Sequence, residues 1–406
     1  MRPLRILVLA PHPYYIDRGS PIDVDLLVRV LSNRGDVVDL VVYPDGETRD
    51  YPGVNVHRAE CPAWVGMPGP GFSWRKLVAD YYLFRKAREI LTRGNYDLIH
   101  AGEETVFMAL WFRRKHGLPY VYDMDSSLAQ QLVESKPWLW PFKRLFAWCE
   151  RHAIRRATAV APVCNALADL ARDAGARHVK TLHDISQLSA GDFVSRGAVR
   201  TVLGLHGKIL MYVGNLEPYQ GIDLLLEAFS RVRAKDASID LVIAGGSPRR
   251  VRQYQKKAHD LGLSSKTHFI GAWPAARLGE LLAEADILAA PRIRGINTPM
   301  KVFPYLHSGR PVVVTALRTH TQILDASICE LGAPEPEGFA EAILRLAHDP
   351  DRAARIGAAA REFVERNHTF PAHQNRVQEL YGVVREALSL QVLFEVLSTI
   401  SEYNLL

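Results

Sequence analysis

The chain has 406 residues, enough for two domains that each bury a core, and its 48% hydrophobic and 23% charged content is that of a soluble globular protein. A formal charge of +6 and a pI near 9.1 allow an anionic partner without choosing among nucleotide, lipid surface and nucleic acid. Four scattered cysteines with no C-x-x-C pair argue against a zinc site or a disulfide framework and for a reducing compartment, no apolar run reaches membrane-spanning length, and the first residues do not read as a signal peptide.

In chain order, Arg5 to Ala10 reads as an apolar strand, Pro11 to Ile22 as a loop, and Asp23 to Arg34 as a helix stopped at Gly35. Gly19 in that loop is either a turn glycine or a place where backbone approaches a ligand. Strands Val37 to Tyr43 and Val54 to His57 follow, then a surface loop rich in Pro, Gly and Trp from Cys61 to Trp74. Helix Arg75 to Arg93, strand Tyr96 to Ala101, helix Glu103 to His116 and strand Tyr120 to Asp123 lead to the polar run Asp123 to Ser127. Open parallel sheets hold ligands at the carboxyl ends of strands, which makes Asp125 and Ser126 site candidates; the alternative is that Ser126 or Ser127 caps the next helix.

Residues 136–156 interleave Trp138, Trp140, Phe142, Phe146 and Trp148 with Lys143, Arg144, Arg151, Arg155 and Arg156. Such a helix lies on an anionic bilayer, meets a partner, or turns the face at the spacing of Leu145, Trp148, His152 and Arg155 into the core while its cations snorkel. Six of the seven tryptophans precede residue 150, so the first half is the adhesive one. Strands Thr158 to Val163 and His178 to Leu182 close a first domain, 1–184, and the weakly periodic stretch 185–207 reads as a linker.

The second half, 208–370, opens with strand Ile209 to Val213 and the turn Gly214 to Gly221, and continues to alternate helices with strands at Ile239 to Ala244 and Thr267 to Ile270. Its densest stretch runs from Ala290 to Thr315. A buried strand ends near Ala290, a basic loop carries Arg292 and Arg294, and Thr298-Pro299 reads as N-cap and first residue of a helix bearing Lys301. Free amides at that helix start, from Thr298 to Met300, with three cations nearby would bind a phosphate. The strand Val312 to Val314 then completes a nucleotide-type crossover, and residues 371–406 read as closing helices that either pack back on the first domain or make a partner contact. The expectation is an α/β protein of two doubly wound, Rossmann-like domains facing across a cleft, which is the default active site.

The ordered set Tyr212-Val213-Gly214-Asn215-Leu216-Glu217-Pro218-Tyr219-Gln220-Gly221, Val242 to Gly246, His268 to Gly271, Ala285-Asp286-Ile287 and Tyr305 to Val313 resembles the donor domain of B-type (GT-B) glycosyltransferases, in particular the family-four type of retaining enzymes. The first half resembles their acceptor domain more loosely. The resemblance implies a nucleoside-diphosphate sugar in the second domain, a glycan or lipid-linked acceptor in the first, no bound metal or cofactor, and stabilisation of the departing diphosphate as the main catalytic task. It implies that Gly214, Asn215, Gln220 and Gly221 form the diphosphate loop, although the arginine and lysine usual there are absent. Neutralisation then falls to Lys301, Arg292 and Arg294. Two glutamates of the family are also missing, near Ile296-Asn297 and at Pro304, leaving Asn297 and Tyr305 as substitutes. Gly271 and Trp273 would lie along the base. His12, Arg18, Gly19 and Ser20 would face phosphates or acceptor, and Asp125 stands where a histidine is common.

The expected protein is therefore a cytoplasmic transferase acting in surface-glycan assembly, with an anionic membrane surface as candidate partner through 136–156. The alternative is a degenerate binding or scaffold protein on the same fold. Nothing recommends a nucleic-acid partner, and no G-x-G-x-x-G follows either first strand to suggest a nicotinamide enzyme.

Overall fold

A computed structural model describes residues 2–16, 19–66, 68 and 73–403, with the side chains of 134–135 and 391–403 left undescribed. Arg18 therefore lies outside the described residues. The chain divides into two compact units, Met1–His183 with Gln374–Leu406, and Asp184–His373.

The first unit is a six-stranded, wholly parallel sheet: β1 (Arg5–Leu9), β2 (Val37–Val42), β3 (Val54–Arg58), β4 (Leu98–Gly102), β5 (Tyr120–Met124) and β6 (Ala159–Pro162), in the order β3-β2-β1-β4-β5-β6. Its central strands are near-continuous apolar runs because helices cover both faces. The helices are α1 (Gly19–Asn33), α2 (Trp74–Arg93), α3 (Thr105–His116), α4 (Leu128–Ser135), α5 (Lys143–Arg156) and α6 (Asn165–Asp173). Strand order reverses between β1 and β4. Helix α1 begins four residues before the expected Asp23, because Pro21 is tolerated in a first turn where no N–H partner is needed. Gly19 and Ser20 thus belong to a helix rather than to a free loop. His178 to Leu182 runs extended beside β6 but forms one isolated bridge, Val160 to Val179, and no strand.

The second unit repeats the plan with β7 (Ile209–Val213), β8 (Asp240–Ala244), β9 (Thr267–Gly271), β10 (Ile287–Ala290), β11 (Val312–Thr315) and β12 (Glu330–Gly332), in the order β12-β11-β10-β7-β8-β9, again all parallel. Here the reversal falls between β7 and β10. Its helices are α7 (Ala198–Leu203), α8 (Ile222–Lys235), α9 (Pro248–Asp260), α10 (Leu278–Ala283), α11 (Val302–His307), α12 (Arg318–Thr321), α13 (Pro336–His348) and α14 (Pro350–Asn367). Two apolar clusters, around Phe229 and Ile343 and around Leu288 and Leu306, bury the two faces of the sheet. The stretch read as a linker contains α7, whose first amides, at Val199 and Arg200, are held by the Glu284 carboxylate at 2.9 and 3.1 Å. That carboxylate is 85 residues away from Val199, so local periodicity could not reveal it.

The last helix, α15 (Phe370–Tyr403), returns to the first unit, where the Arg385 guanidinium donates to the Arg2 carbonyl at 2.7 Å. Among the described residues no helix is long and apolar enough to cross a membrane.

Candidate functional site

In the second unit the site candidates gather at the reversal between β7 and β10, where strand ends splay and leave a crevice. The Lys301 ammonium donates to the Tyr212 hydroxyl and to the Gln220 side-chain oxygen, each at 2.7 Å, and lies 4.0 Å from the centre of the Tyr212 ring. A Cβ on Gly214 would stand 3.3 Å from that ammonium, so the glycine keeps the approach to it open. Gly221 holds the turn in shape: its φ is +76°, and a Cβ there would meet the Pro291 carbonyl oxygen at 1.9 Å. Burial first, and the neighbouring Arg292 second, push Lys301 well below the ordinary lysine range. Both acceptors on Lys301 are neutral. The result is a buried amine with no negative partner, whose charged form an anion beside the bare backbone loop would favour.

Arg292 is buried, donating from Nε to the Arg294 carbonyl at 2.7 Å and from Nη2 to Asn297 Oδ1 at 2.9 Å, with its guanidinium 5.3 Å from the Tyr219 ring centre. Arg294 is exposed. Asn215 turns its side-chain oxygen back to the Glu217 amide at 3.2 Å and leaves its backbone carbonyl to the Tyr212 hydroxyl.

The expected helix start is corrected here. The helix after the basic loop starts at Val302, not Pro299, and spans six residues. Thr298 does not cap it; its hydroxyl accepts from the Gln322 amide at 3.1 Å, while the carbonyls of Pro299 and Met300 take the amides of Val302 and Phe303 in turns. An anion site made by this helix start is therefore withdrawn. Tyr305 is buried, and its hydroxyl both accepts from the Val213 amide and donates to the Val213 carbonyl, each at 2.6 Å. It clamps the end of β7. Trp273 donates to the Arg277 carbonyl at 3.0 Å and packs on the sheet beside α10, while Gly271 accepts from the Gly245 amide at 2.5 Å, drawing the ends of β8 and β9 together. Pro304, in the place of a family glutamate, is buried within α11.

In the first unit the reversal between β1 and β4 holds a cluster that the sequence reading mostly missed. Glu103, the residue after β4, has φ +48° and is the one described non-glycine residue in the left-handed region. A side chain of that size pays for such a backbone only where its surroundings fix it. Its amide donates to the Asp123 carbonyl at 3.1 Å, its carboxylate accepts from the Ser20 hydroxyl at 2.8 Å, and Lys76 of α2 stands 3.5 Å away. Lys76 pairs more closely with Glu104, at 2.6 Å.

Burial alone would raise the Glu103 carboxyl, but Lys76, His12 and the Ser20 hydrogen bond outweigh it and hold it below the usual range. Glu104 goes the other way, pushed up to about 8 by burial and by the charges of Glu103 and Asp80 against the pull of Lys76. Asp80, accepting from Tyr43 at 2.6 Å, is raised by burial to about 6. His12 lies 3.1 Å through Nδ1 from the Pro13 carbonyl. A carbonyl only accepts, so Nδ1 carries the proton and Nε2 presents a lone pair, with burial lowering the ring's basicity.

Asp125 and Ser126 lie one strand further, past β5. Ser127, not Ser126, caps α4, accepting from the Gln130 amide at 3.4 Å and donating to the buried Glu150 at 2.9 Å. Ser126 donates to Gln131 at 3.4 Å. One further chain of contacts ties this end of the sheet to the closing helix. His100 lies between the Asp123 carboxylate, 3.2 Å from Nε2, and the Tyr381 hydroxyl, 3.0 Å from Nδ1. The carboxylate fixes the proton on Nε2 and leaves Nδ1 to accept from Tyr381.

Two parallel α/β units, each with polar groups gathered where its strand order reverses, define a nucleotide-type, two-Rossmann protein. Sucrose-phosphate synthase from Thermosynechococcus elongatus shares this fold at a TM-score of 0.77 and 18% identity, covering 95% of this chain and 100% of that one. Anabaena HepE, solved in complex with UDP, shares it at 0.74 and 17%, covering 93% and 100%.

Residues 19–183 match a family described as glycosyl transferase 4-like domain, and residues 207–349 one described as glycosyl transferases group 1. The chain belongs to the GT-B glycosyltransferases of the family-four-like type. It is 22% identical over 249 residues to the alpha-D-kanosaminyltransferase of Streptomyces kanamyceticus, covering 59% of this chain and 63% of that protein. Over 207 residues it is 29% identical to the GDP-mannose-dependent alpha-(1-6)-phosphatidylinositol monomannoside mannosyltransferase of Mycolicibacterium smegmatis, covering 49% and 54%. The matched stretch thus spans between half and two-thirds of these curated relatives.

Proposed function

We propose that the protein transfers a glycosyl unit, with retention of configuration, from a nucleoside-diphosphate sugar held at the β7–β10 reversal to a glycan or lipid-linked acceptor held by the first unit. The observation that carries this reading is Lys301. Its ammonium, short of negative charge and reached past Gly214, supplies what a departing diphosphate needs, a preorganised cation that costs no reorganisation at the moment of bond breaking. Arg292 adds positive potential behind it. In the retaining route, the acceptor hydroxyl attacks from the face the diphosphate leaves, and a phosphate oxygen takes its proton. Asp125 and Ser126 beyond β5, and His12 and Ser20 beyond β1, then serve the acceptor. No metal or cofactor takes part in this route, so activity should persist in chelator. The protein works on the cytoplasmic side, at the inner face of a membrane, in assembly of a surface glycan.

The test is a thermal-shift panel of UDP, GDP, ADP, TDP and CDP, with NAD as control, each near a hundred times a plausible dissociation constant. Binding at that excess stabilises the fold by about 2.7 kcal/mol. The relatives' names make GDP-mannose and UDP-sugars the first donors to try and inositol phosphates the first acceptors. A second reading, a non-catalytic binding protein on the same fold, is favoured by the buried Pro304 and by Asn297, whose side chain is already engaged by Arg292. Nucleotide binding without turnover of any nucleotide sugar would select it, and silence toward all five diphosphates would count against both.

A further inference from the structure

Helices α2, α3 and α5 lie on one face of the first unit's sheet, since the crossovers from β3 through β6 all run in the same direction and right-handed connections place their helices on one side. They touch in sequence. Phe84 of α2 packs on Trp111 and Phe112 of α3, and Arg113 of α3 donates to the Arg156 carbonyl at the end of α5.

The outer surface of this layer is unusual. On α2, Trp74, Leu77 and Tyr81 are exposed at spacings that form one stripe. On α3, Phe107 and Trp111 do the same. In the 3-10 turn Pro137–Phe142 and in α5, Trp138 and Trp140 are 70% and 68% exposed and Trp148 is 63% exposed, with Phe142 and Leu145 beside them. The core alternative for Leu145 and Trp148 is therefore excluded.

The charge of the layer is as lopsided as its hydrophobicity. Residues 74–93, 105–116 and 137–156 together carry fourteen lysines and arginines against three acids, a formal +11 in a chain whose total is +6. Of those three acids, Asp80 and Glu89 are half-buried and Glu150 is buried. Lys115 sits 4.9 Å from the Trp111 ring centre and Arg75 5.8 Å from that of Trp74, so cations flank the aromatics they surround.

We propose that this whole three-helix face is a docking surface for a bilayer containing anionic phospholipid, with the aromatic stripes entering the headgroup region and the cations meeting lipid phosphates. The charge selects this occupant. A second copy of the chain would bring like charge against like charge, whereas an anionic membrane offers both negative charge and an apolar interior to the exposed faces of these rings. The inference goes beyond 136–156 and stands whether or not the transferase reading holds.

The experiment is flotation of the full chain with vesicles of phosphatidylcholine alone and with about one-third phosphatidylglycerol. Binding is expected to the anionic vesicles, falling at least about tenfold on raising salt from low to near-molar, which shortens the screening length several-fold. Leu77→Ser with Tyr81→Ser, on α2, should weaken it about as much as Trp138→Ser with Trp140→Ser, and Arg144→Glu with Arg151→Glu should weaken it more. These sites are exposed, and unchanged thermal unfolding verifies the fold of each variant. Loss confined to the Trp138 pair would overturn the three-helix face. So would equal binding to neutral vesicles, retention on a single-stranded nucleic acid stronger than on vesicles, or a dimer dissociated by the α2 pair.

Discussion

Replacing Lys301 with methionine keeps the volume of the side chain and removes its charge, leaving Gly214, Gly221 and the Tyr305 clamp on β7 untouched. A hydrogen bond from a charged donor contributes about 1.5–3 kcal/mol, which corresponds to a tenfold to 150-fold weaker dissociation constant for the nucleoside diphosphate that the panel selects. The free protein should change little. Removing a buried amine beside Arg292 relieves repulsion, whereas leaving Gln220 Oε1 without its donor costs about 1–3 kcal/mol, so the two oppose each other. Titration calorimetry measures the affinity and urea unfolding the stability.

The charge can also be moved. The Lys301 ammonium stands at the tip of the Gln220 side chain, so Gln220→Lys combined with Lys301→Gln should return binding to within about threefold of the original if a cation at that point is what matters. Because burial lowers the lysine's pKa, raising the pH through its folded value removes the proton and weakens anion binding, while Lys301→Arg should bind with no such dependence. Affinity that drops less than threefold in Lys301→Met, or a double variant no better than the single, would refute the assignment of Lys301 to the diphosphate.

Glu104, raised to about 8, keeps its proton in the fold long after an unfolded glutamate near 4.3 has lost it, so its contribution to stability declines as pH rises across that window. The difference in unfolding free energy between the native chain and Glu104→Gln should fall by up to about 1 kcal/mol per pH unit between pH 6 and 8, and a flat difference would mean that Lys76 keeps Glu104 ionised throughout. Tyr305→Phe removes both bonds to Val213 and should cost about 1–3 kcal/mol by urea unfolding. Nucleotide affinity falling much further than stability would place Tyr305 among the donor contacts.

The fold was legible because strands buried on both faces are apolar runs, and helices between them carry the longer period, as in Ile209–Val213 followed by Ile222–Lys235. The site was legible in part. Thr298-Pro299 has the local chemistry of a helix start, and what overrides it is Gln322, 24 residues further on, which no local pattern contains. Glu103 and Glu104 follow a strand just as Asp125 does, so the carboxyl-end argument applied to them equally; they were absorbed instead into the helix that follows. Their partner Lys76 comes from another element, and only the packing of α2 brings it there. For 136–156 the helical spacing of Leu145 and Trp148 fitted a buried face and a wetted one alike, and periodicity has no term for which side a helix turns to its sheet.

The meeting of Lys301 with Gln220 joins two loops that lie far apart in the chain. Two ammonium groups at that separation would repel each other, so the neutral Gln220 spares the unliganded fold a second buried cation beside Lys301. Position 220 belongs to the turn after β7 and position 301 to the loop after β10, 81 residues apart in the chain. Read by the turn after β7 alone, this site looks stripped of charge, whereas the loop after β10 carries an amine to the same point.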